Sequence, residues 1–398
     1  GVRPDIRIIN NSLLGIDWYI NQLRRKVNDA PAVDVIWTEE QIEGHNREYV
    51  RYRPKGDQNI AYDLYSIMKQ ELGKPAIDPQ TKRDVGAGVF PVSKLGVPVD
   101  AAKVRANKTV NPEDSIISPM VFEIPQRKLG VGLSRSDLMV LNIIAANKWE
   151  RPIYFTSPYG ELGFGQYLRK DGLAYRLVPI RTEYPRANWT LEQVLRQAQL
   201  GGTQIRDNNE AVMFDNLNEK FRFGGAGQKG VYFDEENRRH LLNIRSVYAE
   251  AAGNLADKGE MEKARQLLDK AETGIDPENL PYAMVSRFNS HNQTGLLYLE
   301  ACYKAGKTDL AEKVRLSIRK DLEQQRKYYD YLKNNRPELF GGSLEGTEVY
   351  FNEALLAALD AIEKRYAPQV QAQQPVEGNS TIINSPGDTT NKNDTSGQ

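Results

Sequence analysis

The chain has 398 residues, and its 53 Lys and Arg are balanced by 53 Asp and Glu. It therefore lacks the basic excess with which nucleic-acid binders neutralise phosphates, and no nucleic-acid partner is expected. A hydrophobic fraction of 40% is enough for packed cores, and the single cysteine, Cys302, excludes an internal disulfide or a cysteine-rich zinc site.

In chain order, Ile6-Arg7-Ile8-Ile9 reads as a strand. It is followed by a helix over 17–27, with Trp18, Ile20, Leu23 and Val27 at helical spacing and Asp17 as N-cap. A Pro- and Gly-rich stretch over 74–98 precedes a second unit, the strand Val121-Phe122-Glu123-Ile124 and a helix over 136–147. Ser134 and Asp137 form a capping box for that helix. Residues 151–156 read as a strand, 164–170 as a helix and 175–180 as another strand. Strands alternating with helices predict a three-layer α/β domain with a mainly parallel sheet over 1–187.

Residues 188–235 form a connector with a short helix over 191–200, capped by Thr190 and Gln193 and stopped by Gly201-Gly202. From Asp234 the apolar period becomes helical, with a break at Asp257-Lys258-Gly259-Glu260 that predicts two antiparallel helices. The arrangement returns 47 residues later, Gly306 matching Gly259 and Ala311 matching Ala264. Gly259, Ala264, Ala271 and Pro277 resemble the small-residue and terminal-proline pattern of a tetratricopeptide repeat, although Ile318 stands where the second copy calls for a small residue. An all-α tetratricopeptide-like helical-hairpin domain is thus expected over 236–366, ending in a capping helix over 350–366. The polar composition of 367–398 predicts a disordered tail.

No stretch of ~18 apolar residues could span a bilayer. The longest tract, Leu138 to Ala146, is interrupted by Asn142. The chain opens without Met or a signal-peptide pattern, so it reads as a piece, and any export signal or membrane anchor would lie upstream of Gly1.

Chemistry-bearing patterns are sparse. His45, His240 and His291 fall in different predicted elements, and no HExxH, CxxC or P-loop pattern occurs. No metal or cofactor site is expected, and no catalytic residue can be nominated. Gly160 to Gly165 lacks the dinucleotide-binding spacing and reads as a structural turn, and Gly224-Gly225-Ala226-Gly227 reads as a flexible loop. Asp17, Trp18, Tyr19 and Tyr154 are candidate sugar or acceptor contacts, since sugar C–H faces stack on aromatic rings; helix capping by Asp17 and core packing of the aromatics are the simpler readings. Asp114-Ser115-Ile116 has the form of an O-glycosylation acceptor, and Asn107-Lys108-Thr109 that of an N-glycosylation sequon.

Two stretches, residues 1–14 continuing into Asp17-Trp18-Tyr19-Ile20, and Asn147-Lys148-Trp149-Glu150-Arg151-Pro152-Ile153-Tyr154-Phe155, carry a resemblance. They resemble a Bacteroidota-rich membrane-protein family of unknown function related to the transmembrane protein 260 type of O-mannosyltransferase. The resemblance implies that the chain is the soluble C-terminal region of a multi-spanning glycosyltransferase, on the periplasmic face of the inner membrane. It also implies a lipid-phosphate-linked sugar donor bound upstream of Gly1, so that this fragment alone is inactive. The partners implied are the protein's own upstream membrane domain and an acceptor or envelope protein held by the helical repeats. The alternative is a non-enzymatic periplasmic protein-binding scaffold.

Overall fold

A computed structural model describes residues 4–82, 84, 86, 88–182, 208–340 and 344–373. The N-terminal half is mixed α/β with small sheets, and the C-terminal part is helical. The two parts have separate hydrophobic cores. Ile20, Trp37, Phe90, Phe122, Leu138 and Phe164 belong to one, and Tyr248, Leu268, Tyr298, Ile318 and Leu359 to the other.

The expectation of one mainly parallel, three-layer sheet is corrected. Strands β1 (Tyr49–Tyr52), β2 (Tyr62–Asp63), β3 (Val89–Phe90), β4 (Lys94–Val97), β5 (Met120–Glu123), β6 (Leu133–Ser134), β7 (Tyr154–Phe155), β8 (Leu168–Lys170) and β9 (Tyr175–Leu177) form three small sheets, ordered β3-β1-β6, β2-β4-β5 and β7-β9-β8. Among these strands only β1–β3 and β2–β4 pair in parallel, and Lys170 makes one isolated parallel bridge to Asn208. Strands of two to four residues are too short to carry a helix layer on each face, and most close on a neighbour as antiparallel ladders.

Residues 6–9 form no strand. They lie beside helix α1 (Asp17–Leu23), Arg7 Nη2 donating to the Gln22 carbonyl at 2.9 Å and the Asn10 amide to Tyr19 Oη at 2.7 Å. Helix α1 ends four residues before Val27 because Asn28 turns the chain at φ 52° and Val33 takes the Leu23 carbonyl at 2.8 Å. Its N-cap is Ile16, which offers no side-chain acceptor, so Asp17 sits one position inside the helix.

Helix α2 (Arg135–Asn147) starts on the expected capping box of Ser134 and Asp137. It is buried on nearly every side, and Asn142, which breaks its apolar run, accepts the Ile36 amide at 2.8 Å. The helix expected over 164–170 is a 3₁₀ turn, Phe164–Tyr167, leading straight into β8. Gly163 makes that turn possible. It sits at φ +88° with the Glu123 carbonyl against its α-carbon, so that a Cβ would lie 2.6 Å from the carbonyl carbon and closer still to the oxygen.

Two helical hairpins follow: α3 (Glu235–Asp257) with α4 (Met261–Gly274), and α5 (Ser290–Lys304) with α6 (Thr308–Asn335). Gly259 and Gly306 turn the two hairpins at φ +82° and +71°, and Ala264 and Ala311 are fully buried at matching places. At the same offset Tyr248 and Ala271 become Gly295 and Ile318, an exchange of large and small between partner helices. Gly295 is needed for a second reason: a Cβ there would meet the Tyr282 carbonyl oxygen at 2.7 Å and Ile318 Cδ1 at 3.1 Å.

Tyr282 belongs to the link over 275–289, which lies along α5. Arg245 of α3 holds it by donating to the Pro281 and Leu280 carbonyls, each at 2.7 Å. Helix α5 is consequently buried on almost all sides. The loop over 224–227, expected to be flexible, is packed: Ala226 is fully buried and its carbonyl accepts from Asn279 Nδ2 at 2.8 Å. Helix α7 (Tyr350–Gln373) continues seven residues past its expected end at Tyr366. The helix thus takes the first seven residues of the tail expected to be disordered over 367–398; the rest of that tail, 374–398, and the helix expected over 191–200 lie outside the described residues.

Candidate functional site

A largely buried polar cluster forms a row of side chains across β7, β9 and β8. Asp171-Gly172 turns β8 into β9, Gly172 taking φ +113° and the Asp171 amide donating to the Ala174 carbonyl at 2.9 Å. The register places Tyr154 opposite Arg176 and Arg176 opposite Arg169. Directly opposed residues project from the same face, so the phenol and the two guanidinium groups form a ladder.

Two like charges side by side out of water need counter-charges. Asp114 supplies one, its Oδ2 2.8 Å from Arg169 Nη1, and Asp171 the other, 3.8 Å from Arg176 Nη1. Tyr154 Oη donates to Asp171 Oδ2 at 3.3 Å, and the Arg176 guanidinium lies 5.6 Å from the centre of the Tyr154 ring. Burial pushes the Asp171 carboxyl up from the ordinary aspartate range, against the opposing pull of Arg176 and Arg169. Burial likewise raises the Tyr154 phenol. Arg169 Nε and Nη2, Arg176 Nε and Asp171 Oδ1 have no hydrogen-bond partner among the described residues. Donors and an acceptor thus lie unused within one buried row whose exposed end is Tyr154.

This row adjoins the seam between the two cores. Lys170 Nζ pairs with Glu250 Oε2 of α3 at 2.5 Å, both side chains buried, and Asn208 Nδ2 donates to Glu250 Oε1 at 3.0 Å. Asn216 Nδ2 reaches the Asp171 carbonyl at 3.2 Å, and Asn111 and Asn209 exchange amide hydrogen bonds at 3.3 and 3.2 Å. The seam is polar, unlike the cores on either side.

Of the four nominated residues, only Tyr154 belongs to this row. Asp17 spends its carboxylate on the Gly44 and Trp18 amides, at 3.0 and 2.7 Å, which hold it below the usual carboxylate range. Tyr19 accepts from Asn10, and Trp18 meets Tyr19 edge to face with centroids 6.0 Å apart. The sequence reading passed over Arg169, Asp171 and Arg176. The signal was present: Asp-Gly in Leu168-Arg169-Lys170-Asp171-Gly172-Leu173-Ala174-Tyr175-Arg176-Leu177 marks a hairpin that sets Arg169 and Arg176 opposite one another on one face.

The histidines stay apart. His45 and His240 are exposed beside Glu48 and Glu236, and His291 is buried near the start of α5. Among the described residues no group of His, Cys, Asp and Glu could hold a metal ion. Asn107 of the sequon is engaged with the Trp149 carbonyl, and its partner Thr109 is buried, so the motif serves as a turn. No described helix is long and apolar enough to cross a membrane.

Residues 1–195 match the family model described as TMEM260-associated domain 2, which supports a relation to the TMEM260 family. Searches of curated proteins and of solved structures return no match.

Proposed function

We propose that the chain is the extracytoplasmic, non-catalytic C-terminal region of a TMEM260-related protein glycosyltransferase, on the periplasmic face of the inner membrane. The observation that carries this reading is the family match over residues 1–195. In it, an upstream membrane domain holds the lipid-phosphate-linked sugar and performs the transfer. The present chain supports that domain, and its tetratricopeptide-like hairpins receive the acceptor protein. Tyr154 and the buried row behind it are the contact for sugar or acceptor hydroxyl groups. A hydroxyl both donates and accepts, so neighbouring hydroxyls can satisfy guanidinium donors and the Asp171 acceptor together, while the Tyr154 ring covers a C–H face.

The test is glycosylation by the full-length parent in its native host. Removal of residues 236–366 is expected to impair acceptor modification, and Arg176→Met to lower it without loss of the folded protein, while the isolated chain transfers nothing. Normal glycosylation after the deletion would overturn the acceptor role, and absence of any glycosylation by the intact parent would leave a non-enzymatic protein-binding scaffold as the better reading.

A further inference from the structure

The fold treats the two glycosylation motifs of the sequence in opposite ways. In Asn107-Lys108-Thr109 the asparagine amide donates to the Trp149 carbonyl at 2.6 Å and Thr109 is buried, so the acceptor nitrogen is already spent. In Asp114-Ser115-Ile116 the serine is exposed and lies in neither a helix nor a strand, so a group added to its oxygen disturbs no backbone ladder.

The neighbours of Ser115 hold it in that position. Asp114 Oδ2 takes the Asn111 amide at 2.6 Å and Arg169 Nη1 at 2.8 Å, and the Asp114 carbonyl accepts from Arg105 Nη2 at 3.2 Å. On the other side Ile116 and Ile117 pack against the α/β core, and the Ile117 amide donates to the Pro179 carbonyl at 2.8 Å. The chain is tied down on both sides, and Ser115 alone of the three motif residues is exposed. A glycan is bulky and hydrophilic, so it needs a surface position whose flanks can stay packed. Because Asp114 and Ile116 are engaged in the folded chain, a transferase that reads the whole tripeptide meets it before folding, and folding then leaves the glycan in solvent.

We infer that Ser115 is a site of O-linked glycosylation. Its Oγ attacks the anomeric carbon of a lipid-phosphate-linked glycan. The new bond joins that carbon to Oγ, the bond from the carbon to the phosphate oxygen breaks with its electron pair leaving on the lipid phosphate, and the hydroxyl proton passes to a base of the host's transferase. The inference rests on the extracytoplasmic placement proposed above, but neither on transfer by the parent protein nor on the Tyr154 row: here the chain is the acceptor.

The test is mass spectrometry of proteolytic peptides from the full-length parent purified from its native host. The peptide containing Ser115 is expected to carry a glycan mass, lost completely in Ser115→Ala and kept in Ser115→Thr, with unchanged circular dichroism in both because the position is exposed. Placement is read separately by treating spheroplasts of the Ser115→Cys strain with a membrane-impermeant maleimide, against the unsubstituted parent as background. An unmodified Ser115 peptide together with labelling of the Ser115→Cys variant would overturn the inference and leave the placement standing. Labelling only after the cells are broken would overturn the placement and the inference with it. A glycan on that peptide that persists in Ser115→Ala sits on another residue and would overturn the assignment to Ser115.

Discussion

Replacing Gly163 with Ala tests the close approach that lets the 3₁₀ turn enter β8. Two penalties combine there. An L-residue at φ +88° costs about 1–2 kcal/mol for its left-handed conformation. The new methyl would also overlap the Glu123 carbonyl, which cannot retreat freely because Glu123 pairs with Lys94 across β4–β5 and the next amide, Ile124, donates to Ser93 at 2.9 Å. Overpacking of that kind costs about 1–3 kcal/mol, for a total of about 2–5 kcal/mol.

Gly44→Ala is the matched control: φ is +58° and nothing lies within 4 Å of the added carbon, so only the conformational cost of about 1–2 kcal/mol applies. Urea unfolding followed by tryptophan fluorescence reads the right part of the molecule, since all four tryptophans, Trp18, Trp37, Trp149 and Trp189, fall in the first half of the chain. A Gly163→Ala midpoint no lower than that of Gly44→Ala would refute the reasoning.

Burial pushes His291 down from its ordinary value of 6.5 to about 4, so between those pH values the unfolded chain binds a proton that the native helix refuses. Stability of the helical part should therefore fall by about 3 kcal/mol as pH drops through that window, and His291→Leu should flatten the slope in denaturant titrations followed by circular dichroism. Lys170→Met leaves Glu250 buried opposite an apolar side chain; a loss of about 3–5 kcal/mol is expected, lessened by the retained Asn208 contact and largely recovered when Glu250→Gln is added, both read from denaturant midpoints. Cys302 is fully buried and its thiol is held up by burial. N-ethylmaleimide should leave it unmodified in the native protein and label it once the hairpins unfold, as mass spectrometry would show; rapid native labelling would contradict the packing.

Much of the helical part was legible because its determinants are local. The Gly259 and Gly306 turns and the buried Ala264 and Ala311 need only neighbours a turn or a hairpin away, as does the Ser134–Asp137 box that starts α2 in the other half. The α/β half was read less well because long-range contacts decide it. Residues 6–9 have the composition of a strand but find a helix beside them instead of a pairing edge. Residues 164–170 have helical spacing, yet Gly163 and the pairing of Leu168 with Leu177 turn them into a 3₁₀ turn and a strand. In the candidate row, Tyr154 is nominated by its aromatic character, while Arg169, Asp171 and Arg176 are passed over. Charged residues on a short strand look solvent-facing until the register sets them opposite one another inside the fold.

The exchange of Tyr248 and Ala271 for Gly295 and Ile318 makes the hairpins non-interchangeable parts. A graft of one helix between copies would bring together either two bulky residues or two small ones, giving a collision or a hole. Restoring a repeat-like alanine at Ile318 offers no escape, because the Tyr282 carbonyl bars position 295 from growing to fill the space. Duplication of the second hairpin to lengthen the array would succeed only if the segment over 275–289 were copied with it. The unit of exchange in this protein is thus a hairpin together with the link that precedes it.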